Sequence, residues 1–211
     1  MEINNLIFDF NGTLIDDVDV CLQILNEMLE NHNIPKVSKD KYLKIFTFPV
    51  KDYYIKAGID LDKLDFKELA EFFNRRYLEL FPQVKLFDDV IPVLEKYKNN
   101  KNIIILSASE QNNLNNQVKL LGLDKYFAYV LGTTSIKAHG KTIIAQEFLD
   151  KHNLDSEHTL MIGDSLHDKE VADVLKCKCI LVASGHQSKA RLLKANTTVV
   201  DSLSEISNFI D

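Results

Sequence analysis

Positive charge is the weaker sign in this chain. Its 25 Lys and Arg face 31 Asp and Glu, a formal charge of -6, and the lysines are scattered rather than striped. Nucleic acids and anionic membrane surfaces are bound through concentrated basic patches that displace counterions, so neither is an expected partner. Cysteine is nearly absent as well: Cys21, Cys177 and Cys179 are an odd number, which implies neither a disulfide framework nor a zinc site and leaves buried thiols as the expectation. Long apolar runs are missing. Met1-Glu2-Ile3-Asn4-Asn5 has no basic character, and the stretch Leu6-Ile7-Phe8 behind it is far below the roughly 20 residues of a membrane span. A cytoplasmic protein is expected, with no internal repeat and no low-complexity segment.

The 211 residues, 45% of them hydrophobic, can bury one core of about 150 residues with a modest insertion. Apolar β-favouring runs recur at Leu6 to Phe10, Ile103 to Ala108, Tyr129 to Leu131, Thr159 to Ile162, Cys179 to Val182 and Thr198 to Val200. Between them Val90 to Tyr97, Leu114 to Leu121, Ile143 to Leu149, Glu170 to Leu175 and Ala190 to Leu193 space their apolar residues three or four apart, as helices do. This alternation predicts an α/β fold: a parallel, Rossmann-like sheet with helices on both faces. From about Asp16 to Lys85 it stops, and four helical patterns follow one another, around Val20-Ile24-Met28, Tyr42-Ile45-Phe46, Tyr53-Tyr54-Ala57 and Leu69 to Leu80, with Pro49 and Pro82 at breaks. The expected division is a core of residues 1–14 and 86–211 with a helical cap of residues 15–85. Because the insertion leaves and rejoins at one end of the first strand, it should sit over that end.

That end carries Asp9-Phe10-Asn11-Gly12-Thr13-Leu14. A carboxylate, a tight-turning glycine and a hydroxyl are presented where a buried strand stops, the place where open α/β sheets bind ligands. The second strand ends on Ser107-Ala108-Ser109, and Lys137 and Lys141 flank Ala138-His139-Gly140 just before a helix. A cation at a helix start opposes the macrodipole, which suits anion binding better than a purely structural role. A later strand delivers Gly163-Asp164-Ser165-Leu166-His167-Asp168. Two carboxylates four apart across a turn repel each other unless a cation intervenes. Mg²⁺ is the natural one: it takes oxygen ligands and keeps several waters, so Asp9, the carbonyl of Asn11 and Asp164 could bind it directly, with Asp168 acting directly or through water. The loop Ser184-Gly185-His186-Gln187-Ser188 ends at the same edge, and His186 and His167 supply imidazoles near it.

Taken together, these segments resemble the four motifs of the haloacid dehalogenase-like hydrolase superfamily, in particular its phosphoglycolate phosphatase-like members with a helical cap. The resemblance spans nearly the whole chain. It implies that Asp9 attacks phosphorus and becomes an aspartyl phosphate, that Thr13, Ser107, Ala108 and one of Lys137 or Lys141 hold the phosphoryl group, with His186 close by, that Mg²⁺ assists, and that the partner is a small phosphorylated metabolite bound by a monomer or small homo-oligomer. One residue departs from the pattern. Most phosphatases of this superfamily carry a second Asp where this chain has Asn11, and that Asp protonates the leaving oxygen and later activates water. An amide does neither, and such assistance is commonly worth about 10² to 10⁴ in rate. Three readings follow: substrates with good leaving groups such as acyl phosphates, recruitment of His167 or His186, or a binding and regulatory protein with little turnover. A phosphonate hydrolase, which would need a Schiff-base lysine from the cap (Lys36 through Lys67), is a further alternative.

Overall fold

The computed structural model describes residues 2–133, 141–152 and 154–210. The apolar runs become six strands: β1 (Asn5–Phe8), then, after the insertion and its two short strands, β4 (Asn102–Glu110), β5 (Tyr129–Thr133), β6 (Thr159–Gly163), β7 (Lys178–Val182) and β8 (Thr198–Val200). They form one sheet in the order β5-β4-β1-β6-β7-β8, every pairing parallel. The strands are apolar on both faces because both faces are covered. Side chains alternate across a pleated strand: Leu6 and Phe8 enter one buried cluster with Ile103, Ile105, Leu160 and Ile162, while Ile7 enters the other with Ile104, Leu106, Met161 and Leu181. The second cluster is closed by α7 (Lys141–His152) and α8 (Leu166–Leu175), through Phe148, Leu149, Val171 and Leu175. The remaining helices are α5 (Val90–Tyr97), α6 (Gln111–Leu120), α9 (Lys189–Leu192) and α10 (Ser207–Ile210). No helix among the described residues is long and apolar enough to cross a membrane.

Four helices interrupt this alternation: α1 (Val18–Asn31), α2 (Lys39–Ile45), α3 (Val50–Ala57) and α4 (Phe66–Leu80). Their limits follow local chemistry. Ser38 accepts a hydrogen bond from Lys41 N and starts α2, Asp65 accepts from Lys67 N and starts α4, and Gly58, left-handed at φ +108°, ends α3. Ile24, Leu25, Met28 and Leu29 on α1 are buried against the same cluster that backs β1, each contributing roughly 1.5–3 kcal/mol of apolar burial. The expectation of no strand near residues 16 and 85 needs correction. β2 (Ile15–Asp16) and β3 (Lys85–Leu86) pair antiparallel at the base of the insertion, two residues each, too short to show any alternation in the sequence.

Candidate active site

Strand register assembles the site. Phe8 lies opposite Ile105 on one side and Ile162 on the other, so the three strands run out together: Asp9 directly follows Phe8, and Ser107 and Asp164 stand two residues past Ile105 and Ile162. Sheet order reverses direction here, since β1 leads across to β4 while β6 lies on the opposite flank, the switch point where an open sheet leaves a crevice. Asp9 N donates to Ile162 O at 2.8 Å, fixing the carboxylate over the gap between β1 and β6. Gly12 adopts φ +73°, and a Cβ there would stand 2.5 Å from Asp164 Oδ2 and 2.6 Å from the His186 ring. The turn after Asp9 therefore tolerates only glycine. A Cβ on Gly185 would overlap the same Asp164 carboxylate.

Asp9, Asp164 and Asp168 are buried with their carboxylate oxygens within 4.8 Å of one another. One cation answers them: Lys141 Nζ, at the first residue of α7, donates to Asp9 Oδ1 and, at 2.5 Å, to Asp168 Oδ1. The other oxygen of Asp168 accepts Asp164 N, Ser165 N and Ser165 Oγ at 3.2, 3.0 and 2.8 Å, closing the capping box of α8. Asp164 Oδ2 accepts the backbone N–H of His186. Burial pushes the Asp9 carboxyl up to about 7 against the opposing pull of Lys141, and burial takes Asp164 to about 8 against His186. For Lys141 the two aspartates outweigh its own desolvation and hold it firmly protonated. Three carboxylates against one ammonium is a charge deficit in a poorly hydrated place, and the donors of the cluster are all oxygens. A hard divalent cation fits that set.

Beside it lies a second buried network, centred on Asp17, which sequence reasoning passed over. Asp17 opens α1 yet makes no capping bond to it. Its Oδ1 accepts Gly12 N and faces His186 Nε2, both at 3.0 Å, while Oδ2 accepts Tyr77 Oη at 2.7 Å and the Asn11 amide at 2.8 Å. Tyr42 Oη lies 2.7 Å from His186 Nδ1. The second amide bond of Asn11 runs to Tyr77 Oη at 2.7 Å, and its carbonyl oxygen accepts Ser109 Oγ at 3.2 Å. Burial alone would raise Asp17, but His186, Asn11 and Tyr77 overcome it and hold the carboxyl below its usual value. His186 resists its own desolvation through Asp17 and is pushed up to about 9. The pair is a buried aspartate and imidazolium, balanced in charge. Cys21 Sγ donates to Asp17 at 3.6 Å, and burial first, then Asp17, keeps its thiol well up and protonated. The only advance signal for Asp17 was the doubled Asp16-Asp17 at a helix start.

The two networks share a cavity of about 300 Å³ under α2, α3 and α4. Asp9, Asn11, Ser107, Ala108, Lys141, Asp164, His167, Asp168 and His186 all line it. His167 does so with Nδ1 3.1 Å from Glu170 and its ring 4.8 Å from that of Phe48. Thr13 is buried, and its hydroxyl has no hydrogen-bond partner among the described residues. It does not reach the wall. Lys137 lies outside the described residues. Ser107 Oγ accepts Ser109 N at 3.1 Å, shaping the turn after β4. Among the described residues no lysine from 15–85 lines the cavity.

Family comparison agrees with this arrangement: the profile of the haloacid dehalogenase-like hydrolase family matches residues 6–182. The chain belongs to that family. Over 172 residues it is 28% identical to pyrophosphatase PpaX of Oceanobacillus iheyensis, covering 80% of this chain and 78% of that one. With the phosphoglycolate phosphatase of Synechococcus elongatus the identity is 21%, covering 90% and 88%. A haloacid dehalogenase-like family protein of Streptococcus pneumoniae superposes with a TM-score of 0.86 at 18% identity over 99% of both chains. A hydrolase of Pseudomonas syringae gives 0.77 at 21%, over 99% and 98%. In this haloacid dehalogenase-like hydrolase, then, the six-stranded core is the family's and the helical insertion covers its crevice.

Proposed function

We propose that this hydrolase is a Mg²⁺-dependent phosphatase of a small phosphorylated metabolite, with Asp9 as the nucleophile. The observation that carries the reading is the charge deficit at the cavity floor, where Asp9, Asp164 and Asp168 lie close together and, among the described residues, the one ammonium present, Lys141, pairs with two of them. Asp9, the carbonyl of Asn11 and Asp164 would hold the cation, which when bound neutralises the approach of a dianion to a carboxylate. Asp9 then attacks phosphorus in line, the leaving oxygen departs toward the cavity, and water releases the phosphate from the aspartyl ester. In this reading Ser107, the backbone at Ala108 and either Lys141 or Lys137 hold the phosphoryl oxygens, while Thr13 stays behind the wall and His186 is spent on Asp17 and Tyr42. Asp168 acts on Lys141 and on the Asp164 turn, both of its oxygens being committed there. Residues 1–14 and 86–211 form the catalytic core, and 15–85 the cap that excludes water and selects substrate.

The relatives named pyrophosphatase and phosphoglycolate phosphatase support hydrolytic phosphoryl transfer and disagree on whether the bond broken is an anhydride or an ester. A phosphonate hydrolase loses support, since no cap lysine lines the cavity among the described residues. Asn11 favours one competing reading, a phospho-ligand binding protein with little turnover. The test is phosphate release from a panel of phosphomonoesters and acyl phosphates with Mg²⁺. Release that stops with a chelator and in Asp9→Asn is expected. Silence of the wild type, combined with release by a variant carrying a carboxylate at position 11, would establish the competing reading. Asn11→Asp alone is a poor probe, because the new carboxylate would face Asp17 Oδ2 across the present 2.8 Å. The swap Asn11→Asp with Asp17→Asn keeps the charge count.

A further inference from the structure

The cavity has two unlike ends. Its floor is the acidic cluster, whereas its roof is built from aromatic rings of the insertion: Tyr42 and Phe46 from α2 and its end, Tyr53 from α3, and Phe66, Phe73 and Tyr77 from α4. The rings are packed on one another, Tyr42 to Tyr53 at 5.7 Å edge-on and Phe46 to Tyr53 at 5.3 Å, so the roof has a defined shape. Among the described residues Lys141 is the only lysine or arginine on the wall, and it is held by Asp9 and Asp168. Lys51 sits on the ring of Phe66 at 5.0 Å and Arg75 on that of Phe72 at 5.5 Å, but neither lines the space. His186 spends both ring nitrogens on Asp17 and Tyr42. A carboxylate or second phosphate on the substrate would meet ring faces, whose quadrupole is negative, with no unpaired lysine or arginine among the described residues to answer it. An uncharged ring would meet its own kind. An apolar cavity of about 150 Å³ holds benzene, so about 300 Å³ has room for a phosphoryl group and a ring.

Asn11 bears on the same question from the chemical side. Its amide hydrogens are given to Asp17 and Tyr77 and its oxygen to Ser109, so it is locked on the leaving-group side of Asp9 with no proton to hand over. Tyr77 points its own hydroxyl hydrogen at Asp17. A leaving oxygen must therefore depart as an anion. A phenol ionises near pH 10, as tyrosine does, far more readily than water, and aliphatic alcohols behave like water in this respect. Roof and Asn11 select the same molecules.

Building on the reading of the floor as a phosphoryl-transfer site, we infer that the substrate class is aryl phosphates, phosphate monoesters of uncharged phenol-type alcohols, and that neither phosphoglycolate nor pyrophosphate is the substrate. In the first step an Asp9 oxygen bonds to phosphorus, the phosphorus–oxygen bond to the ring breaks, and its electron pair leaves on the phenolate. No proton moves. In the second, water adds to phosphorus and frees Asp9, giving H₂PO₄⁻, and the phenolate takes one proton from that product in solvent.

The experiment is kcat/KM of the full chain with Mg²⁺ on a series of ring-substituted phenyl phosphates, on 2-phenylethyl phosphate, phosphoglycolate and pyrophosphate, with acetyl phosphate as a small activated control. Phenyl phosphate is expected to exceed phosphoglycolate and pyrophosphate by at least about 100-fold, a floor set by one unpaired buried charge. Across the phenols kcat/KM should fall about tenfold per unit of leaving-group pKa, because it reports the step in which the phenolate leaves, and 2-phenylethyl phosphate, with the same ring on an alkyl oxygen, should be slower again. The swap Asn11→Asp with Asp17→Asn should flatten that slope, and Phe73→Arg should shift preference toward phosphoglycolate. Phosphoglycolate or pyrophosphate turned over as well as phenyl phosphate, or a slope near zero in the wild type, overturns the inference and leaves the phosphatase reading intact. A flat slope that steepens in His167→Gln overturns it by naming His167 as the acid. No release from any compound, acetyl phosphate included, removes the phosphatase reading and this inference with it.

Discussion

Two buried polar clusters stand side by side at the same sheet edge, and their charge balance sets them apart. Asp17 and His186 form a one-to-one pair whose remaining lone pairs and hydrogens are taken by Gly12, Asn11, Tyr77 and Tyr42. Asp9 and Asp168 share one ammonium, Asp164 has no cation paired to it directly among the described residues, and the Asp9 and Asp164 carboxyls are driven up to about 7 and 8. The comparison teaches that buried charge by itself does not mark a reaction centre. A satisfied pair locks a conformation, here the seating of the insertion on the core through Tyr42 and Tyr77, whereas an unbalanced set is poised to take up a cation or an electrophile.

The largest effect should come from the unbalanced side. Asp9→Asn is expected to lower phosphate release by at least about 10⁴-fold, as loss of a covalent nucleophile does, with the circular dichroism of the fold retained. Turnover within tenfold of wild type would exclude the covalent route. On the balanced side the loss should be of stability: Asp17→Asn leaves an imidazolium buried without its counter-ion and should cost about 3–5 kcal/mol in urea unfolding. The double variant Asp17→Asn with His186→Gln should cost clearly less than the sum of its single variants. Additive costs would show that the two residues do not act as a pair.

Those contrasts divide what could be read from the sequence from what could not. The six strands and the insertion were legible because a parallel sheet covered on both faces writes continuous apolar runs, and Asp9, Ser107 and Asp164 follow from where such runs stop. Lys141 was legible as one of two lysines before a helix. The balanced network left no comparable trace. Asp17 and His186 are 169 residues apart and meet because the turn after β1 and the loop after β7 end at one sheet edge, where Tyr42 and Tyr77 from the insertion then join them, a matter of three-dimensional packing with no period in the chain. Asn11 was noticed as a missing acid, while its role as the partner of Asp17 depends on that packing.

Lys141→Met tests the deficit directly. Removing the one ammonium that the described residues place there should reduce kcat by about 10²–10³, the usual cost of losing one charged stabiliser of the phosphoryl oxygens, and should lower the Mg²⁺ concentration needed for half-maximal activity, because the carboxylates then attract the cation without a competing ammonium. An unchanged kcat would move the phosphate-holding role to Lys137.

A smaller effect separates the clusters by pH. In the metal-free protein Asp9 and Asp164 have folded values of about 7 and 8, above the 3.8 of a free aspartate. The native state therefore holds protons that the unfolded chain has given up. Stability from this source is complete below about pH 4 and is lost as pH rises toward 8. His186, at about 9 folded against 6.5 free, also holds its proton longer in the native state, so its contribution is complete below 6.5 and is lost on the way to 9. Asp17, whose value is lowered, adds stability above the ordinary aspartate range and changes nothing in this window. Metal-free melting temperature should thus fall steadily between pH 6 and 9. Mg²⁺ competes with the protons of Asp9 and Asp164 but not with that of His186, so the stabilisation it gives should grow with pH by about 4 kcal/mol between pH 6 and 8 and then level off. Thermal melts with and without Mg²⁺ measure the difference. A Mg²⁺ increment that is flat with pH in the wild type would mean that the cation does not share those two carboxylates, and an increment that survives in Asp164→Asn would place it elsewhere.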